Sequence, residues 1–237
     1  MKVKRLHPWN AAPAEAVKIQ EKLKERVSLD DAFDHIESIQ RIAGVDVNYK
    51  KDTDKATAAV VVLSFPGLAL LDSQVVEGEV SFPYVPGLFS FREIPLLIPA
   101  LEQLTTLPHL VIVDGQGIAH PQRLGIASHL GILTDIPTIG CAKSRLIGTY
   151  NEPAKEKGAH TYLYDKGEII GAVVRTRTNV SPVYVSGGHK ISLQTAVQVV
   201  LHCATKFRLP EPLRAAHHMS RSFQRLKFSS PSFKIQL

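Results

Sequence analysis

Cysteine is scarce in this sequence, which contains only Cys141 and Cys203. The two positions are far apart, and each lies in an apolar segment. Such a pair lacks the close cysteine spacing of a structural zinc site and the cysteine density of a disulfide-stabilised secreted domain. We therefore expect two buried free thiols in a reducing compartment.

Long hydrophobic runs are missing as well. No apolar run approaches the roughly 20 residues that a helix needs to span a bilayer. The N-terminal segment carries Lys and Arg but no apolar stretch after them, so a secretory signal is not expected. No Gly/Ser-rich or single-charge linker divides the 237 residues. We expect one domain, residues 1–237, in a monomeric cytoplasmic protein with no membrane partner.

Acidic residues are absent from the C-terminal segment, from Pro212 onward. The same segment contains five basic residues: Arg214, Arg221, Arg225, Lys227 and Lys234. The formal net charge of +6 and a pI near 9.3 are compatible with a polyanionic partner, since Lys and Arg release counterions from phosphates. We expect a basic tail from about residue 221, which either contacts phosphates or is a loosely ordered extension.

β-Branched and apolar residues mark most of the predicted strands. Runs over residues 41–49, 57–65 and 70–80, separated by a polar loop and a Pro-Gly turn, predict a three-stranded antiparallel meander. Strand, helix and strand patterns then follow, and they predict a βαβ unit with parallel strands; they cover residues 110–114, 121–133 and 136–141. The other predicted elements are helices at 14–27, 90–104 and 192–203, a hairpin at 160–175, a strand at 183–186 and a last element from Pro210.

Three carboxylates belong to this pattern: Asp46 in the first strand, Glu93 in the following helix and Asp114 at the end of the fourth strand. Three antiparallel strands, a helix and a parallel strand are the order of a ribonuclease H-like mixed α/β sheet flanked by helices. In that topology the first and fourth strands are neighbours, so the carboxylates converge. Clustered carboxylates repel one another unless a cation lies between them, and oxygen ligands without cysteine favour Mg²⁺ or Mn²⁺.

Each acid also has a purely structural interpretation. Asp46 can be satisfied by an arginine or by backbone donors, and Glu93 can form a capping box with Ser90. The glycines after Asp114 either admit a ligand or simply turn the chain into the next helix.

A loop rich in Pro, Gly and aromatic residues covers residues 82–93. Its prolines stiffen the chain around Tyr84, and Gly87 permits a close approach. Such a loop either presents an aromatic wedge to a nucleic-acid base stack or packs its aromatics into the protein's own core.

The sequence resembles the endonuclease V family in blocks that run through most of the chain in the family's order. The matching blocks are Ala43-Gly-Val-Asp-Val47, Pro83-Tyr-Val-Pro-Gly-Leu88, Phe91-Arg-Glu93, Val113-Asp-Gly-Gln-Gly117 with His120-Pro121, Ala142-Lys143, Val185-Ser186 with Gly188-His189, and Arg214-Ala-Ala-His217. Departures are small: Gln122, Gly187 and a second histidine, His218, stand where the family often differs.

The resemblance implies a DNA-repair endonuclease that depends on Mg²⁺, for which Mn²⁺ can substitute. Its expected substrate is inosine-containing DNA, single- or double-stranded, or RNA. Its expected reaction is hydrolysis of the second phosphodiester bond 3′ to the inosine, leaving a 3′-hydroxyl and a 5′-phosphate. The resemblance assigns the metal to Asp46, Glu93, Asp114 and His217, and it places Lys143 near the scissile phosphate.

The resemblance also implies a set of substrate-binding residues. Tyr84 resembles the family's wedge, and four glycines would form a pocket for hypoxanthine, the base of inosine: Gly87, Gly115, Gly117 and Gly125. The other positions are Pro83, Val85, Pro86, Leu88, His120 and Leu146. The alternatives are another ribonuclease H-like nuclease, a ribonuclease that prefers inosine in RNA, and a non-enzymatic nucleic-acid-binding module.

Overall fold

The computed structural model describes residues 1–229, with side chains described as far as Phe223. These residues form one eight-stranded mixed sheet of order β3-β2-β1-β4-β5-β8-β7-β6. The strands are β1 (Arg41–Tyr49), β2 (Lys55–Ser64), β3 (Leu70–Glu79), β4 (Leu110–Val113), β5 (Thr138–Ala142), β6 (His160–Asp165), β7 (Glu168–Val174) and β8 (Val183–His189). The helices are α1 (Pro13–Leu23), α2 (Phe89–Glu102), α3 (Ile126–Thr134), α4 (Leu193–Cys203) and α5 (Glu211–Ser229), with short 3₁₀ turns at Lys24–Arg26 and Ile36–Ser38.

The pairing of β1 places two of the predicted acids side by side. Strand β1 is antiparallel to β2, as β2 is to β3, which confirms the predicted meander. On its other edge β1 runs parallel to β4, with Val45 opposite Val113. The next residue on each strand is an aspartate, Asp46 and Asp114, so this register brings both to the same edge of the sheet. The parallel pairing of β4 with β5 confirms the predicted βαβ unit.

Helices cover both faces of the sheet. Alternation along β1 sends Ile42 into the core formed with α4 and α5, while Ala43 and Val45 pack against α2 and α3. Gly44 allows α5 to approach β1 closely, because a Cβ at this position would lie 2.0 Å from the carbonyl oxygen of Pro212. Cys141 and Cys203 are both buried in the α4/α5 core.

Several predicted boundaries differ from the structure, three of them near the expected site residues. The helix after Asp114 was expected from Pro121, but α3 begins at Ile126. Residues 121–125 turn instead, with Arg123 in the left-handed region at a φ of 53° and its guanidinium bound to Asp165 and Glu168. Helix α2 begins at Phe89 and runs through both Pro95 and Pro99. Strand β8 continues through both glycines to His189.

The C-terminal segment is helical in its first part. Helix α5 extends to Ser229, so the tail expected from about residue 221 begins within this helix. The side chains of Arg225 and Lys227, and the whole of Lys234, lie outside the described residues. Among the helices of residues 1–229, none has the length and apolar character needed to cross a bilayer.

Candidate active site

The three predicted acids line one cavity at the edge of the sheet. This acidic cavity has a volume of about 290 Å³ and is lined by Asp46, Glu93 and Asp114 together with Tyr49, Lys143 and His217. All five residues predicted to be catalytic therefore meet in one place. Within the described part of the chain, however, no three Asp, Glu, His or Cys side chains are arranged to hold a metal ion.

Glu93 is the most enclosed of the acids, with 8% of its surface exposed. The hydroxyl of Tyr49 donates to its Oε1 at 3.0 Å, and the guanidinium of Arg92 lies 4.9 Å from the centre of the Tyr49 ring. Burial raises the pKa of Glu93 to about 8; the Tyr49 bond opposes that rise, and the charges of Asp46 and Asp114 add to it. The capping-box alternative is wrong, because Leu88 is the N-cap of α2 and no side chain caps it.

Asp46 is held by α5. The hydroxyl of Ser220 donates to Oδ2 at 2.6 Å, and Nδ1 of His217 donates to Oδ1 at 3.2 Å. Helix α5 can supply both because it crosses β1 at Gly44, two residues before Asp46 and on the same face of the strand. Of the two adjacent histidines, His217 is the one that contacts Asp46.

Asp114 is paired with Lys143, which follows β5. Nζ of Lys143 lies 2.5 Å from Oδ2 of Asp114, and the lysine side chain is half exposed. The backbone carbonyl of Lys143 accepts a hydrogen bond from Arg208 at 2.7 Å. The lysine therefore lies at the rim of the acidic cavity with its backbone anchored and its ammonium partly open to solvent.

The donor set of the acidic cavity fits a hard divalent cation. Its oxygen donors come from three carboxylates, and a cation between them would offset the burial and the like-charge repulsion that together raise the pKa of Glu93. Lys143 neutralises only one of the three, and His217 adds one nitrogen donor. The residues named in the sequence therefore suit Mg²⁺ or Mn²⁺ by their chemistry.

A second cavity, which we call the loop cavity, adjoins the first. It has a volume of about 350 Å³ and shares Asp114 and Lys143 with the acidic cavity. Eight of the predicted substrate-binding residues line it: Tyr84, Val85, Pro86, Gly87, Gly115, His120, Gly125 and Leu146. This volume lies in the range of small-ligand sites.

Three of the predicted substrate-binding residues do not line the loop cavity. Leu88 is buried in a small core with Phe82 and Phe91, and Pro83 is exposed beside them. Gly117 instead packs against β8, where a Cβ would lie 2.0 Å from the carbonyl oxygen of Gly187. Position 117 therefore requires glycine because the backbone of β8 leaves no room for a side chain.

Tyr84 stands at the rim of the loop cavity with 72% of its surface exposed. The alternative that this loop packs its aromatics into the protein's own core is therefore wrong for Tyr84, although it holds for Phe82 and Phe91. An exposed aromatic ring beside an apolar cavity suits contact with a base stack.

The carbonyl of Gly87 fixes this loop to the rest of the molecule. It accepts hydrogen bonds from Nε2 of Gln20 and from Nε2 of His120, both at 2.9 Å. His120 is 4% exposed, and burial lowers its pKa to about 4, so its ring is neutral. Its Nδ1 accepts from the backbone N–H of Gln122, which leaves Nε2 as the donor. His120 therefore positions the loop by a neutral hydrogen bond.

Several residues of these cavities were missed by the sequence reasoning. Tyr49 and Ser220 hold the acids, and Gln20 holds Gly87, yet each partner is remote in sequence. Gln116, inside the quoted Asp-Gly-Gln-Gly block, donates to the carbonyl of Ser144 across the loop cavity wall. The other missed lining residues are Phe89, Ser90, Ile126, Ala142 and Arg145.

A third cavity, which we call the basic cavity, lies on the other side of Asp114 and Lys143. Its volume is about 580 Å³, and Asp114, Lys143 and His217 form the wall that it shares with the acidic cavity. Its other basic lining residues are Arg208, Arg214, His218 and Arg221, and Phe207, Leu209, Leu213 and Ser222 complete the lining. The guanidinium of Arg214 stacks 3.3 Å from the centre of the Phe207 ring.

Comparisons with known proteins agree with this geometry. The family model described as Endonuclease V matches residues 21–218. Endonuclease V of Nostoc punctiforme is 50% identical over 220 residues, covering 93% of this chain and 99% of that protein. The crystal structure of endonuclease V from Streptomyces avermitilis superposes with a TM-score of 0.88 at 39% identity, covering 96% of this chain and 100% of that one.

A third relative was solved with nucleic acid. Endonuclease V of Ciona intestinalis, in complex with a 24mer DNA containing an inosine followed by a ribo-adenosine, superposes with a TM-score of 0.80 at 29% identity. The match covers 90% of this chain and 98% of that one. Because the family model spans most of the sequence and half of the aligned residues are identical to a curated member, this chain belongs to the endonuclease V family and is an endonuclease.

Proposed function

We propose that this chain repairs deaminated adenine in DNA by nicking the strand at the second phosphodiester bond 3′ to inosine. The observation that carries the proposal is that the loop cavity and the acidic cavity are separate but share Asp114 and Lys143. A base displaced into the loop cavity would leave its own phosphate outside the acidic cavity. The bond that reaches the carboxylates would therefore be one further along the strand. The relative from Ciona intestinalis, bound to inosine-containing DNA, supports this substrate.

The acidic cavity would hold Mg²⁺, or Mn²⁺, through Asp46, Glu93, Asp114 and His217. The cation would lower the pKa of the attacking water and neutralise charge on the phosphate during the reaction. Tyr49 and Ser220 would keep Glu93 and Asp46 in place by donating to one oxygen of each.

Lys143 would contribute a positive charge next to the scissile phosphate. Its ammonium is half exposed and lies on the wall common to all three cavities, so it can leave Asp114 and contact a phosphate oxygen. Hydrolysis by water directed at this bond would leave a 3′-hydroxyl on one fragment and a 5′-phosphate on the other.

The loop cavity would receive hypoxanthine, with Tyr84 filling the space that the displaced base leaves in the stack. The glycines that line the cavity, Gly87, Gly115 and Gly125, bring backbone close to the base. The strand 3′ to the cut would lie along the basic cavity, where Arg214 and Arg221 can meet phosphates.

A nicking assay with an acid variant tests this proposal. We expect Asp114→Ala to lose at least a hundredfold in Mg²⁺-dependent nicking of an inosine-containing duplex while binding stays measurable, because the loop and basic cavities remain. Asp34→Ala, which changes an exposed acid outside all three cavities, is the matched control and should nick normally. Full nicking by Asp114→Ala, or no Mg²⁺-dependent nicking by the unmodified protein, would contradict the assignment.

Cleavage next to a ribonucleotide is a second candidate. The specific observation is the ribo-adenosine that follows the inosine in the nucleic acid bound by the Ciona intestinalis relative. Side-by-side cleavage of matched DNA, chimeric and RNA strands, each with one inosine, separates the two substrates. A rate that rises when a ribonucleotide follows the inosine would favour the second candidate.

A further inference from the structure

A chain of hydrogen bonds runs from the protein's N-terminal segment to the wall of the loop cavity. Nδ1 of His7 bonds the carbonyl of Pro8 at 2.9 Å, and Nε2 of His7 bonds Nε2 of His129 at 2.8 Å. Nδ1 of His129 then bonds the hydroxyl of Ser90 at 3.0 Å. Ser90 lies in the first turn of α2, is 2% exposed and lines the loop cavity.

The direction of each hydrogen bond follows from the carbonyl at the end of the chain. A carbonyl only accepts, so Nδ1 of His7 carries a proton, and a neutral ring then leaves its Nε2 as an acceptor. Nε2 of His129 must donate to it, which leaves Nδ1 of His129 as an acceptor. The hydroxyl proton of Ser90 is therefore committed to His129.

The surroundings keep both rings neutral. His129 lies against the rings of Trp9 and Phe91, with ring centres 5.4 and 5.3 Å away. Burial lowers the pKa of His129 to about 3, and burial also lowers the pKa of His7. A neutral pair can hold only one arrangement of protons when the terminal partner is a carbonyl.

Ser90, which lines the loop cavity, therefore has a hydroxyl oxygen that offers lone pairs and no proton. The carbonyl of Gly87, in the same loop, already receives hydrogen bonds from Gln20 and His120. Hypoxanthine carries a proton on N1, whereas adenine has a lone pair there. An oxygen that only accepts would stabilise the first base and repel the second.

We propose that Ser90 is a specificity-determining residue that accepts a hydrogen bond from N1–H of hypoxanthine, and that His7 and His129 are positioning residues that hold its hydroxyl proton away from the base. The proposal rests on the proposed function, since it assumes that the loop cavity receives the base. In addition to the backbone groups of that cavity, the Ser90 side chain would then distinguish the bases. The N-terminal segment would contribute to base selection through His7.

Binding measurements with the full chain test the role of Ser90. Fluorescence anisotropy in EDTA, which prevents cutting, gives the ratio of dissociation constants for single strands that differ only in adenine or inosine. We expect Ser90→Ala to reduce this ratio about tenfold, the worth of one hydrogen bond, chiefly by weakening the inosine complex.

A pair of His7 variants tests the chain of hydrogen bonds without changing the cavity itself. His7→Gln keeps a carbonyl oxygen that can accept from His129, and it should retain most of the wild-type ratio. His7→Leu removes that acceptor and frees the proton arrangement of His129, so its ratio should fall toward that of Ser90→Ala. Thermal melting of each variant checks that the fold is intact.

The outcomes separate this proposal from the proposed function. A wild-type protein that binds both strands equally would overturn both. A wild-type preference for inosine that survives in Ser90→Ala and His7→Leu would overturn the role of Ser90 alone. An equal loss of affinity for both strands in these variants would show a structural role and would also overturn it.

Discussion

At the scale of single residues, Glu93 carries the largest electrostatic cost in the acidic cavity. Its carboxylate is buried, and two other carboxylates lie close enough to raise its pKa further. Below its ordinary pKa of 4.5 the folded and unfolded chains both hold the proton, so ionisation of Glu93 does not lower the free energy of unfolding. Between that pH and about 8 only the unfolded chain releases it, and the free energy of unfolding falls as pH rises.

Glu93→Gln removes this pH dependence because the amide does not ionise. We predict that the variant gains stability relative to wild type as pH rises from about 5 to about 8 in EDTA, by a few kcal/mol at the upper end. Urea denaturation at both pH values measures the difference. Mg²⁺ should restore stability to the wild type at the higher pH and leave the variant unchanged. A stability difference that does not vary with pH would contradict the burial argument.

The residues that carry charge were identifiable from sequence, whereas their supporting partners were not. The positions of Asp46, Glu93 and Asp114 could be read from strand and helix patterns together with the family blocks. Tyr49, Gln20 and Ser220 gave no comparable signal, because each acts through one hydrogen bond to a residue far along the chain. Which glycine faces a cavity was equally hidden, since Gly117 is constrained by β8, about 70 residues later.

At the scale of elements, the crossing of α5 over β1 builds one side of the acidic cavity. The crossing needs a residue without a side chain at Gly44, where α5 starts against the strand. Helix α5 then places His217 and Ser220 over Asp46. The close approach of α5 to β1 therefore determines the two hydrogen bonds that hold the Asp46 carboxylate.

Gly44→Ala tests this dependence. The added Cβ would meet backbone atoms of Pro212, which cannot move without shifting the helix. We predict a loss of stability of about 2–4 kcal/mol and a loss of nicking larger than the loss of inosine binding. Denaturation and nicking assays measure the two effects. Gly67→Ala is the matched control, because its Cβ would meet only the hydroxyl of Ser64 at 3.4 Å; similar behaviour of both variants would argue against this role for the crossing.

Elements with strong local patterns were predicted well. The bounds of β1, residues 41–49, are those expected from its β-branched and apolar residues. Helix α4, expected over residues 192–203, spans Leu193–Cys203 with Ser192 as its N-cap. The predicted start of α3 was wrong because the conformation of residues 121–125 is set by contacts with distant parts of the chain and not by their local helical pattern. Arg123 takes a left-handed conformation that delivers its guanidinium to Asp165 and Glu168 on the β6–β7 hairpin.

At the scale of the whole molecule, the three cavities share one wall. Asp114 and Lys143 line all three, with the loop cavity on one side and the basic cavity on the other. Recognition, cutting and backbone binding would therefore occupy successive stretches of one strand. Part of the excess of basic residues in the sequence lies at this wall, since Arg208, Arg214 and Arg221 line the basic cavity.

Arg221→Ala tests the basic cavity. A contact to phosphate carries no base information, so we predict weaker binding by the same factor for inosine-containing and undamaged strands. The slope of the logarithm of affinity against the logarithm of salt concentration should fall by about 1. Lys2→Ala, which removes an exposed lysine outside the three cavities, is the control and should leave the slope unchanged. A loss confined to the inosine strand would place Arg221 at the base instead.

Mapping the cut on a strand with one inosine shows whether base recognition and cutting occupy adjoining but separate cavities. The account predicts one major Mg²⁺-dependent product that ends at the second phosphodiester bond 3′ to the inosine, with a 3′-hydroxyl. The matched adenine strand should stay intact. A cut at the inosine's own phosphate, or equal cutting of the adenine strand, would contradict the account.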